Sequence, residues 1–168
     1  MSEPDGAGAP ADDRLKFLVV ASDCPEARLA AYFTARRAKR SNARVILLHV
    51  IEPADFGHWA TVAETMRAEA YEHAEAILAE FSAEVEAQWG EKPETVIREG
   101  RMVDEIRKTI EGDAKIAILF LGASTNPEGP GPLVSALAHK PAYLGGRPIP
   151  VTVVPGSVSR DDLREMSG

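Results

Sequence analysis

Short apolar runs alternate with longer amphipathic segments along this chain. Phe17 to Ala21, Arg44 to Val50 and Ile116 to Leu121 are rich in Val, Ile, Leu and Phe and have the length of strands. Near-continuous apolar character marks a strand covered on both faces, where no position is left for a polar residue. Glu94 to Glu99, with Thr95-Val96-Ile97 at its centre, predicts a further strand, as does the β-branched run Pro150 to Val154. Between these runs the spacing changes to three and four. In the segment Val62 to Trp89 the residues Val62, Met66, Ala70, Ala74, Leu78, Phe81 and Val85 form one predicted apolar stripe. Val103, Ile106 and Ile110 do the same within Met102 to Glu111, with Gly112 as its stop. Leu133 to Lys140 predicts a short helix that Pro141 kinks or ends.

The first helix is predicted after the turn Ser22-Asp23-Cys24-Pro25. Asp23 or Cys24 suits the N-cap, and Pro25 suits the first helical position, where a missing N–H costs nothing. This helix should run to about Arg40. Its last turns carry Arg36, Arg37, Lys39 and Arg40, which complement the negative end of the helix dipole and read as a solvated helix end. Residues 1–13 are expected to be a disordered tail and residues 157–168 a polar tail, leaving one domain over 14–156. The order is strand, helix, strand, four times over. It predicts an α/β protein with an open, mostly parallel five-stranded sheet and helices on both faces, a Rossmann-like fold.

Composition narrows the function classes. The 168 residues are 45% hydrophobic and 27% charged, as in an ordinary globular domain. A formal net charge of −7 offers no basic field, so nucleic acid is not an expected partner. Cys24 is the single cysteine, so no internal disulfide can form. No stretch approaches the ~20 apolar residues of a membrane span. The amino-terminal residues lack a basic start and apolar core, so a cytoplasmic location is expected.

Candidate chemistry is sparse. Cys24 follows a strand at a helix start, but a phosphatase-like Cys-x5-Arg loop would need arginine where Ala30 stands. Asp23 lacks the acidic pair and second aspartate of a phosphoacceptor domain. His49 has no triad partners and reads as a hydrogen-bonded core residue. Glu69 and His73 sit four apart in an acidic helix, without the facing ligands a metal would need. The most informative stretch is Gly122 to Gly131. It is a loop of small, polar and turn-forming residues that opens where a buried strand ends, the place where open α/β sheets hold ligands.

Several segments in register resemble the universal stress protein family of the UspA type. They are the strand-turn-helix Phe17 to Arg40, Leu47-Leu48-His49-Val50-Ile51-Glu52-Pro53 and the long acidic helix. Arg98-Glu99-Gly100, Leu121-Gly122 and Arg147-Pro148-Ile149-Pro150-Val151-Thr152-Val153-Val154 complete the set. The resemblance implies a non-catalytic, homodimeric protein of the stress response that pairs through its last strand. It also implies a site where some members hold ATP, between the first strand end and a Gly-x2-Gly-x9-Gly-Ser/Thr loop. Carried onto this chain, the candidate contacts are Ser22, Asp23, Val50, Gly122, Ser124, Thr125, Gly129 and Gly131. The pattern departs from the family at Ser22, where an Asp is expected, and at Thr125, where a glycine is expected. The final Gly-Ser/Thr pair would fall near Leu137-Ala138. Gly129 and Gly131 are flanked by prolines, which remove amide donors. The expectation is therefore no cofactor and no canonical ATP site, with ATP or another adenine nucleotide as the alternative.

Overall fold

A computed structural model describes residues 12–53, 60–139 and 145–167. Its elements run β1 (Lys16–Val20), α1 (Pro25–Ser41), β2 (Arg44–Ile51), α2 (Ala60–Trp89), β3 (Glu94–Glu99), α3 (Met102–Gly112), β4 (Ile116–Ala123), α4 (Pro132–His139), β5 (Val151–Pro155) and α5 (Arg160–Met166). The five strands form one sheet in the order β3-β2-β1-β4-β5, and every neighbouring pair is parallel. The expected α/β architecture is present. β1 lies at the centre, flanked by β2 and β4, so the direction of winding reverses at the β1/β4 boundary.

Two cores sandwich the sheet, and the strand period of two sorts residues between them. Phe17, Val19, Ala21, Val45, Leu47 and Phe120 join α1 and the second half of α2. Leu18, Val20, Ile46, Leu48, Val50, Leu119 and Leu121 join Ile106 and Ile110 of α3, with Leu133 and Leu137 of α4 against them. The face of α1 turned to the sheet is built from Ala27, Ala30, Ala31, Ala35 and Ala38, all buried, which lets its backbone come close. Cys24 is its N-cap without a side-chain bond, Pro25 takes the first turn, and Asn42 ends it in the left-handed region at φ 52°.

Two expectations need correction. The apolar stripe of α2 is buried only from Ala74 onward, through Leu78, Phe81 and Val85, whereas Met66 is exposed and Ala70 half-buried. The side chain of Val62 lies outside the described residues. A helix of 30 residues is about 45 Å long, while an eight-residue strand such as β2 covers about 27 Å. The amino-terminal half of α2 therefore overhangs the sheet. The polar tail expected over 157–168 instead contains α5. Ser159 Oγ accepts from Asp162 N at 3.1 Å, and Leu163 is buried against α1. Most of the tail expected over 1–13 lies outside the described residues. Asp12 and Asp13 are anchored: the Asp12 carboxylate pairs with Arg14 and Arg44, and Asp13 with Lys115.

β5 ends the sheet and, among the described residues, has a ladder partner only on its β4 side. Pro150 O accepts from Leu119 N at 3.0 Å and Gly156 N donates to Ala123 O at 2.8 Å, so even-numbered backbone groups face β4. Alternate residues of a parallel strand turn to opposite neighbours. Val151 and Val153 accordingly present their N–H and C=O groups to the open side, and Pro155 there has no N–H.

Candidate functional site

The carboxyl ends of β1, β2 and β4 converge as expected, but the predicted contacts take separate structural roles there. Asp23 is paired with Arg28 at 3.1 Å, and the same guanidinium nitrogen reaches Glu80 of α2 at 2.9 Å. Its carboxylate is thus tied to the α1/α2 surface. Ser22 O accepts from Cys24 N at 2.8 Å and closes the turn into α1. Val50 is buried in the α3 side of the core. His49 is held as a core residue, its Nδ1–H donating to Ala21 O at 2.7 Å.

Gly122 has no room for a side chain. A Cβ there would lie 2.3 Å from Glu26 O and 2.7 Å from Ala27 N, in the first turn of α1. The glycine is required because the end of β4 touches the helix backbone, with or without a ligand.

The loop after β4 spends its donors on itself. Ser124 N donates to Pro130 O at 3.0 Å, and Asn126 N to Ser124 Oγ at 3.0 Å. Glu128 N donates to Asn126 Oδ1 at 3.2 Å, and Gly129 N to Asn126 O at 3.0 Å. Pro127, Pro130 and Pro132 contribute none. Of the loop amides only those of Thr125 and Gly131 are left without a bond of this kind among the described residues, and the Glu128 carboxylate adds negative charge. Gly129 (φ 129°) and Gly131 (φ 109°) occupy backbone conformations that L-residues avoid, and a Cβ at either would meet no atom within 4 Å, so the turn and not close packing calls for glycine. The Thr125 methyl lies beside Gly156. Leu137 and Ala138 lie inside α4, where amides bond back four residues, and Leu137 packs on the core.

A concave feature at this end, among the described residues, is a groove of about 320 Å³ between the amino-terminal turns of α3 and α4. Met102, Val103, Leu133 and Ala136 provide apolar walls, with Pro132 at the rim. Its polar groups are Glu52, Arg101 and Asp104. Glu52 Oε1 accepts from Met102 N at 3.0 Å, so a carboxylate of the protein already occupies the positive end of α3. Arg101 is exposed and has no ion pair among the described residues. None of the eight candidate residues lines this groove. The signal available in the sequence was Arg98-Glu99-Gly100 before a short helix, whose first turn supplies one wall.

Cys24 is poorly suited to nucleophilic chemistry. Burial, reinforced by Glu26 and Asp23, pushes its thiol up to about 11, outweighing the opposite pull of the nearby Ala27 N–H. Among the described residues no group of three or more His, Cys, Asp or Glu is placed to hold a metal ion. No helix among them is long and apolar enough to cross a membrane.

The fold has close counterparts among solved structures. The universal stress protein UspA from Lactobacillus plantarum superposes with a TM-score of 0.70 at 19% identity, over 84% of this chain and 97% of that one. A universal stress protein from Archaeoglobus fulgidus in complex with dAMP gives 0.60 at 14% identity, over 83% and 97%. A universal stress protein family protein from Arabidopsis thaliana with AMP bound gives 0.55 at 19% identity, over 88% and 94%. At such identities these likenesses establish the fold alone. No curated protein matches the sequence. The sequence profile of the Universal stress protein family matches residues 14–155, which include every strand of the sheet and every residue of the groove, and the chain belongs to that family.

Proposed function

We propose that this chain is a cytoplasmic, non-catalytic regulatory protein of the stress response that works as a homodimer paired through β5, without canonical ATP binding. The open side of β5 carries the dimer reading. Val151 and Val153 leave unpaired backbone groups there, and Val153 is 40% exposed although apolar. An apolar edge strand in water is a template for pairing, and a twofold partner satisfies it. The self-bonded loop after β4 supports the absence of a triphosphate cradle, since a phosphate needs free amides and positive charge. The test is the mass in solution at micromolar concentration. The wild type should have the mass of two chains and Val153→Asp that of one. A monomeric wild type would overturn the dimer.

A second reading is that the groove between α3 and α4 holds an adenine nucleotide. Its apolar walls and few polar groups suit a base, and the relatives from Archaeoglobus fulgidus and Arabidopsis thaliana were solved with dAMP and AMP. Calorimetry with AMP and ATP, with and without magnesium, separates the readings. The first predicts no heat with ATP. The second predicts AMP binding that Ala136→Glu abolishes by placing a carboxylate in the groove.

A further inference from the structure

The last turns of α1 and α2 carry a second concave site. It is a pocket of about 340 Å³ lined by Arg36, Lys39, Arg40, Gln88 and Ser167. It sits at the amino ends of the strands, because each crossover helix returns the chain to the start of the next strand. The groove lies at the other end of the strands and on the other face of the sheet, with α3 and α4.

Three observations bear on its chemistry. Arg36, Lys39 and Arg40 have the i, i+3, i+4 spacing of one helix face, where like charges repel by about 0.2–0.5 kcal/mol per pair. Among the described residues no acidic side chain lines the pocket, and none of the three cations has an ion pair. Elsewhere on the surface Arg14, Lys16, Arg28, Arg44, Arg67 and Arg160 all meet carboxylates. Finally, Arg36 is fixed in place. Its Nε donates to Ser167 Oγ at 2.8 Å and its guanidinium lies over the Tyr32 ring at 5.8 Å. Ser167 is 2% exposed and donates in turn to Leu163 O at 2.6 Å. The two terminal nitrogens of Arg36 are left without a protein partner among the described residues. A planar fork held at its Nε is suited to bidentate contact with a tetrahedral oxyanion.

We propose that this pocket binds the phosphate group of a small phosphate monoester. Arg36 provides the oriented fork, Lys39 and Arg40 neutralise the dianion, and Gln88 offers a neutral donor to the rest of the molecule. The site is independent of the nucleotide reading of the groove.

The test is calorimetry at 150 mM NaCl, with glucose 6-phosphate and inorganic phosphate as probes. The variants are Lys39→Gln/Arg40→Gln at the pocket and Arg101→Gln at the distant groove; all three side chains are exposed, and melting curves check the fold. Saturable binding of the monoester is expected. It should weaken about tenfold or more in the double variant and stay unchanged in Arg101→Gln. Absence of saturable heat, an unaffected double variant, or an equal loss in Arg101→Gln would overturn the proposal.

Discussion

The tightest constraint at the carboxyl end of the sheet is Gly122, and its replacement by alanine is a sharp test of the packing argument. The added Cβ would sit 2.3 Å from Glu26 O and 2.4 Å from Glu26 C. Both atoms are backbone, so no side chain can swing away, and α1 must move off β4. That helix packs through alanines, so a displacement opens gaps along its whole buried face. Overpacking of this kind costs about 1–3 kcal/mol, and a backbone obstacle puts Gly122→Ala at the upper end. For a chain of this length about 3 kcal/mol lowers the melting temperature by about 6–12 °C. Two other glycines calibrate the result. Gly129→Ala meets no atoms but is forced to φ 129°, with an expected cost of about 1 kcal/mol. Gly146→Ala meets neither obstacle and should be neutral within about 0.5 kcal/mol. Urea denaturation at constant m-value provides the readout. A Gly122→Ala protein within about 0.5 kcal/mol of wild type would refute the reasoning. The result also governs how ligand studies are read, since lost nucleotide binding in a Gly122 variant would report a displaced helix and not a missing phosphate contact.

Three further outcomes are expected. Arg147 donates to Ile116 O at 2.8 Å, Ile110 O at 2.7 Å and Asp113 O at 3.0 Å, tying the end of α3 to the start of β4. Arg147→Ala leaves these carbonyls short of donors and should cost about 2–4 kcal/mol in urea denaturation; a neutral effect would remove its anchoring role. Leu163→Ala should release α5 with little change elsewhere, because a seven-residue helix has no stability of its own; amide exchange unaltered over residues 160–166 would contradict this. With its thiol pushed up to about 11 from an ordinary 9.0, Cys24 should react with iodoacetamide about tenfold more slowly at pH 8 than an unperturbed thiol, the smaller thiolate fraction being partly offset by the stronger nucleophile. The raised value also means that stability is lost as pH climbs from about 9 toward 11, where the unfolded thiol ionises first. An alkylation midpoint near 9 would sink both statements.

The candidate contact residues are held by partners that the sequence pattern does not announce. Asp23 has the right chemistry at the right turn, but Arg28 lies one helical turn on and Glu80 comes from another element. Gly129 and Gly131 look like phosphate-loop glycines, because close backbone approach and a tight turn demand the same residue. Only their φ values and empty surroundings tell the two apart. The solvated end assigned to Arg36, Lys39 and Arg40 follows from helix periodicity alone. That Gln88 and Ser167 close a pocket over it depends on where two other helices end. α5 carried a weak signal, Ser159 three residues before Asp162 with Leu163 following, too short to outweigh its polar neighbours.

By itself the sequence determined what depends on local pattern. Apolar runs set the five strands, spacing of three and four set the helices between them, and their alternation set a parallel α/β sheet. Those features follow from period and propensity, which neighbours in the chain suffice to specify. The tertiary structure decided which groups are spent and which are free. It brought Glu26 against Gly122, turned four loop amides inward, laid Glu52 over the start of α3 and left β5 with one open side. Apart from the loop amides, which bond within their own loop, each of these is a contact, or the lack of one, between segments far apart in the chain, where packing and hydrogen-bond satisfaction have the final say.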